Sequence, residues 1–184
     1  MKPWERLDDV VEVVTSSVIE EFLTRFRDSK QKCITLWLIS PWITPLEGEA
    51  VPLRELVDAL EREGTPTIVI TRLPSEPYYE QALKMLGKVR NCEILIMNHL
   101  HAKLYISYNR GESFAMIGSA NMSAHSRFAV EIGLLIKDYA WGANLIHELL
   151  GAASIIRSQP HHRVKSMGKA FNEHLYGDLV EELL

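Results

Sequence analysis

The chain has 184 residues, a length that fits one domain around a single core. Hydrophobic residues make up 47% and charged residues 24%, the composition of an ordinary globular protein, and no apolar run approaches the roughly 18–20 residues that cross a bilayer. The opening segment MKPWERLDDV is too polar for a signal peptide, so a cytoplasmic protein with no membrane partner is expected. The formal net charge of −4 does not mark a nucleic-acid binder. The charge distribution says more. Leu149 to Asn172 carries no acidic residue and holds Arg157, His161, His162, Arg163, Lys165 and Lys169. That stretch is either a local basic face for phosphates or a solvated helix flank.

Along the chain, Val11, Val14, Val18, Phe22 and Phe26 recur at spacings of three and four and predict an amphipathic helix, with Asp8 or Asp9 as N-cap. Cys33 to Ile39 reads as a strand stopped by Pro41, and Pro52 to Arg62 as a helix ended by Gly64. Thr67–Thr71 is a second strand, Glu76 to Leu86 a third helix, and Cys92 to Met97 a third strand. Cys33 and Cys92 each open an apolar strand. They are read as reduced core residues, without the clustering of a zinc site. Strands alternating with helices argue for a parallel sheet with crossover helices.

The pattern then changes. Ala102 to Tyr108 and Ser113 to Ile117 are extended runs joined by a hairpin turn at 109–112, and Phe128 to Ile136 is a further strand. Tyr139 to Ile156 and Val164 to Leu184 read as helices separated by Pro160. The expected fold class is therefore α/β, a mixed sheet that is parallel in its first half and antiparallel near the hairpin.

The chemistry concentrates in two segments. If His99 to Tyr105 is a strand, His99, His101, Lys103 and Tyr105 share one face. An imidazole is a nucleophile for phosphorus, and an ammonium offsets charge on non-bridging oxygens. Gly118, Ser119 and Asn121 follow the return strand of the hairpin, which should bring them beside His101. Gly118 permits close backbone approach to a ligand, and Ser119 and Asn121 supply neutral donors.

His101-Ala-Lys103 followed by Gly118-Ser119-Ala-Asn121 resembles the signature of the phospholipase D superfamily: H-x-K, four residues, D, six residues, G-S, then N two positions on. Glu131, within Val130 to Ile136, resembles the glutamate that orients the catalytic histidine in that family. Two positions depart from the pattern. Tyr108 stands where the signature aspartate falls, with Asn109 and Glu112 as nearby polar residues, and Ala129 stands where the family has an asparagine. The gap from Lys103 to Gly118 is also three residues longer than the strict pattern.

The resemblance implies a phospholipase-D-like mixed β-sheet flanked by helices on both faces. Residues 1–184 would form a single domain, with a core of about 10–157 and a helical extension over 158–184. Because the chain holds one motif, the resemblance also implies a homodimer in which two His101 residues face each other. It implies a metal-independent phosphodiesterase, without cofactor, that acts on nucleic acid through a phosphohistidine. His101, Lys103, Ser119, Asn121 and Glu131 would be catalytic, and Gly118 would contact substrate. By position, Arg72 at the end of the second strand could also contact a phosphate, and His125 and Arg127 after the turn either line the cleft as substrate contacts or are solvated loop residues. Small single-motif members include nucleases of restriction and defence systems. The alternatives are a catalytically weak subunit that binds nucleic acid or a partner within a larger protein complex, and, ranked lower, a phospholipase. Outside the motif, His99 is read as a rim histidine, His161 and His162 as surface, and Trp42 as a core residue with a stacking surface as the alternative.

Overall fold

The computed structural model describes residues 10–138 and 142–169, with the backbone alone at Arg127 and Gly142. The first element is a strand, β1 (Val11–Val14), where the apolar spacing predicts helix. Val-Glu-Val-Val is rich in β-branched side chains, which suit a pleated edge, and β1 pairs antiparallel with a later strand from Val11↔Ile136 to Val14↔Gly133. Helix α1 (Val18–Asp28) begins only after Ser17, whose φ of 50° breaks the chain direction. The Asp8 and Asp9 caps expected from the sequence lie outside the described residues. Phe22, at the centre of α1, packs its ring 5.6 Å from Tyr105 and 5.4 Å from Phe114.

Strands β2 (Cys33–Ile39), β3 (Thr67–Thr71) and β4 (Cys92–Ile96) pair parallel, as their apolar runs predict. Helices α2 (Leu53–Glu63) and α3 (Pro77–Gly87) connect them. Strands β5 (Leu104–Asn109) and β6 (Phe114–Gly118) form the expected antiparallel hairpin. Its turn is fastened by Asn109, whose amide donates to the Glu112 carbonyl at 2.8 Å, and by Ser113, whose hydroxyl accepts the Asn109 N–H at 3.0 Å. A single 3₁₀ turn (Ala124–Arg127) precedes β7 (Gly133–Lys137). Residues 128–132, expected as the first half of that strand, form no regular element.

Helix α4 (Gly142–Ser158) follows, and the start expected at Tyr139 lies outside the described residues. The predicted helix from Val164 does not begin there. His162–Lys165 is an edge strand, β8, antiparallel to β4, and the expected helical extension beyond residue 169 lies outside the described residues. β8 covers the free edge of β4, and its Val164 and Lys165 are buried.

The eight strands run in the order β1-β7-β6-β5-β2-β3-β4-β8, a mixed sheet with helices on both faces. Helices α1, α2 and α3 bury Phe22, Leu56 and Leu83 against one face. On the other, α4 packs Ile146 and Ala153 against Trp37, Ile70 and Ile106. Both cysteines are buried and free, as the sequence predicts. Burial pushes the Cys33 thiol up to about 11 and the Cys92 thiol up to about 12, so neither ionises near neutrality. Among the described residues, no helix is long and apolar enough to cross a membrane.

The basic C-terminal stretch is largely spent inside the fold. Arg157 and Arg163 both pair with the buried Glu93 carboxylate on β4, at 2.6 and 3.2 Å. The Lys165 ammonium donates to the Gly87 and Val89 carbonyls at the end of α3. Replacing both Arg157 and Arg163 by Ala leaves the Glu93 charge buried and unpaired. In urea unfolding at neutral pH, the double variant is expected to lose about 3–5 kcal/mol. Adding Glu93→Gln should recover part of that loss.

Candidate active site

The parallel strands β2, β3 and β4, together with β6, deliver their C-terminal ends to the same rim of the sheet from which β5 and β7 start. Five connecting segments meet there: Ser40–Trp42 after β2, Arg72 after β3, the loop from Met97 to Lys103, Ser119–Asn121 after β6, and 128–132 before β7. In α/β sheets this is the end where ligands bind.

The first candidate pair lies just outside the hairpin. His101 and Lys103 precede β5 and are not part of a strand, which changes the expected one-face arrangement. Tyr105 is on the strand but buried in the core, while His99 and His101 are exposed in the loop. The Lys103 ammonium folds back onto the His101 carbonyl at 3.0 Å. Among the described residues, no side chain hydrogen-bonds the His101 ring.

The second segment is beside the first, as hairpin topology requires. The Gly118 N–H meets the Lys103 carbonyl at 3.4 Å, one register step beyond the Leu104↔Ile117 pair. Tyr105 supports this turn from beneath, donating its hydroxyl to the Ala120 carbonyl at 2.9 Å. Burial raises the Tyr105 phenol well above its ordinary value, so it stays a donor. From the other side, the Ser40 hydroxyl accepts the Met122 N–H at 3.0 Å and donates to the Trp42 carbonyl at 2.8 Å.

Gly118 is required by the strand packing itself, apart from the close ligand approach expected of it. It sits opposite Gly133, and a Cβ on Gly118 would overlap the Ile132 carbonyl and stand 2.8 Å from Gly133 Cα. The tight approach lets the Ser119 N–H donate to the Ile132 carbonyl at 2.9 Å while the Ser119 hydroxyl accepts the Ile132 N–H at 3.1 Å. The same hydroxyl donates to Glu131. Glu131 thus holds Ser119 rather than the His101 ring, and it sits just before β7 rather than within it.

Asn121 lines a cleft of about 580 Å³ with His125, Glu131, Trp42, Tyr78 and Tyr79. Its Oδ1 is buried with no hydrogen-bond partner among the described residues. His125 is exposed at the 3₁₀ turn, and the Arg127 side chain is not described. Arg72 is turned to the interior of the rim. Its Nε donates to the Leu100 carbonyl at 2.6 Å, directly before His101, and its guanidinium lies 5.6 Å from the Trp42 ring centroid. Trp42 is therefore partly exposed at the rim and not a core residue.

The departures from the signature also find their places. Tyr108 is five residues along β5 from Lys103, about 16 Å at strand rise, with its ring 6.0 Å from that of His147 on α4. A side chain there does not reach the His101 loop. Asn109 is spent on the hairpin turn. Ala129 lines the cleft. Sequence reasoning missed Tyr78 and Tyr79, two adjacent aromatics at the start of α3 whose only signal was an exposed pair after Pro77. It also missed the supporting hydroxyl of Ser40.

No protein-family model and no curated protein sequence matches the chain. Solved structures do. The chain is similar to Nuc from Salmonella typhimurium, a phospholipase D family member, at 14% identity and TM-score 0.63, covering 85% of this chain and 99% of that one. NucT from Helicobacter pylori matches at 14% identity and TM-score 0.60, over 80% and 94% of the two chains. TrmBL2, an archaeal chromatin protein with a novel mode of DNA binding, matches at 15% identity and TM-score 0.53, over 84% of this chain and 55% of its own. The chain shares the fold of these structures.

Two substitutions test how the rim is held. Gly118→Ala forces β6 from β7 and is expected to cost about 1–3 kcal/mol in thermal unfolding. Tyr105→Phe removes the bond to Ala120 and is expected to cost about 1–2 kcal/mol.

Proposed function

We propose that this chain is a metal-independent phosphodiesterase acting on nucleic acid, with His101 as nucleophile. The observation that carries the reading is the junction at the rim, where the Gly118 N–H meets the Lys103 carbonyl and puts His101-x-Lys103 against Gly118-Ser119-Ala-Asn121. The same fold in the Nuc and NucT structures supports it.

In the proposed reaction, His101 of one protomer attacks phosphorus and the bond to the leaving oxygen breaks, with His101 of a second protomer protonating that oxygen. The second histidine then takes a proton from water, which attacks the phosphohistidine and frees the first. Lys103 offsets charge on the non-bridging oxygens, and Asn121 donates a hydrogen bond to them. For Lys103 this requires its ammonium to leave the His101 carbonyl when substrate binds. Ser119 and Glu131 hold the turn that carries Asn121, and His125 and Arg127 border the path of the substrate. A role in restriction or defence rests on the motif resemblance.

The homodimer is read from the one H-x-K motif of this sequence, because the proposed reaction needs two histidines. It is supported by apolar side chains left in water beside the half-site: Val130 is 98% exposed, Ile132 57% and Val13 64%, with Leu134 and Ile117 adjoining on β7 and β6. A contiguous patch of this kind at the open end of a half-site suits a second copy of the same surface.

A second reading has its own observation. Glu131 bonds Ser119 and leaves the His101 ring unanchored, as fits a catalytically weak subunit that binds nucleic acid or a partner protein. A trapped phosphohistidine on incubation with substrate would exclude it.

Nuclease activity is expected to survive EDTA and to fall at least about 100-fold in both His101→Ala and Lys103→Ala. Full activity in His101→Ala would overturn the proposal. Replacing Val130 and Ile132 together by Asp should convert a dimer to monomer in light scattering and abolish cleavage while the monomer keeps the folded circular-dichroism spectrum.

A further inference from the structure

The cleft beside Asn121 has a wall that the phosphodiester chemistry does not use. Trp42 and Tyr79 stack at 5.0 Å with an interplanar angle of 24°, and the Tyr78 ring lies 4.3 Å from Tyr79 at 58°. The core does not demand this arrangement. Tyr78 is 46% exposed, and Trp42 and Tyr79 are only partly buried. Large aromatic rings left at a rim beside a candidate site are costly unless something covers them.

The wall is linked to the loop of the candidate nucleophile. Arg72 has its guanidinium 5.6 Å from the Trp42 ring centroid while its Nε holds the Leu100 carbonyl. One side chain thus fixes both the aromatic wall and the loop that presents His101. The cleft's volume of about 580 Å³ is in the range of small-molecule sites and accommodates a nucleoside.

Charge identifies which part of a nucleic acid belongs there. The described side chains lining the cleft include Glu47 and Glu131 and no Lys or Arg. A phosphate track would need cations. A base is uncharged, has two π-faces for a tyrosine ring, and carries N–H donors that suit carboxylates and the Gln81 amide.

We infer that the Trp42–Tyr79–Tyr78 wall is a stacking site for an unpaired base flanking the scissile phosphate, which makes single-stranded nucleic acid the substrate class. The inference rests on the phosphodiesterase reading for the word "scissile". Paired bases inside a duplex are stacked on their own neighbours and cannot lie against this wall.

The test uses His101→Ala protein, which should bind without cleaving, and fluorescence anisotropy with three labelled probes: a short DNA single strand, the same strand with its internal bases removed, and the duplex. The intact strand should bind more tightly than either of the others. Tyr78→Ala, at an exposed position, should weaken the intact strand by about 5- to 100-fold and leave the abasic strand unchanged. Tyr78→Phe, which keeps the ring, should bind as well as Tyr78. Equal binding of intact and abasic strands, preference for the duplex, indifference to Tyr78→Ala, or no binding at all would each overturn the inference. Cleavage by protein with His101 intact separates the two proposals. Tyr78-dependent binding without cleavage would remove the phosphodiesterase and leave the base site. His101-dependent cleavage with binding indifferent to Tyr78 would do the reverse.

Discussion

Gly118 and Gly133 face each other where β6 ends and β7 begins, and the space a Cβ would fill at Gly118 is taken by the Ile132 backbone. The rest of the candidate site depends on that approach. Because the strands are so close, Ser119 exchanges hydrogen bonds with Ile132 through both its backbone and its hydroxyl. The same hydroxyl then reaches Glu131. A side chain larger than hydrogen at Gly118 would push Ser119 away from these partners and with it the turn that presents Asn121.

The other side of the turn is set by the hairpin. Antiparallel pairing of β5 with β6 brings the Lys103 carbonyl to the Gly118 N–H, so two motif segments separated by the length of the hairpin become neighbours. Tyr105 stiffens this junction, since its ring packs on Phe22 of α1 while its hydroxyl holds Ala120. The core and the rim are thus joined by one side chain. The basic stretch, read from sequence as either a phosphate-binding face or a solvated flank, has a third use inside the fold. The cations gathered after Leu149 include Arg157, Arg163 and Lys165, and these close β8 and α4 onto Glu93 and onto the end of α3.

Where sequence reasoning failed, the reason was pairing or packing across the chain. Val11 to Val14 have helical spacing when read with Val18 and Phe22, but β7 offered an open edge and β-branched residues took it. Val164 looked like the start of a helix until β4 offered its own edge. The His99–Tyr105 alternation placed four side chains on one face, yet only Tyr105 is in the strand, and it points into the core. Tyr108 stood out as a missing aspartate, but β5 carries it away from the rim to α4.

The sequence by itself determined the parallel β2–β3–β4 unit, the crossover helices and the β5–β6 hairpin, because local apolar runs, Pro52, Gly64 and the turn at 109–112 act over a few residues. It also determined the position of the candidate site, since hairpin geometry forces the end of one strand beside the start of the other. Only the tertiary structure decided what each residue at that rim does. Gly118 is empty for a backbone carbonyl, Glu131 is bound to Ser119, Arg72 braces the His101 loop, and Tyr78, Tyr79 and Trp42 gather into one wall. These roles come from contacts between segments far apart in the chain, and neither periodicity nor spacing encodes which segments will meet.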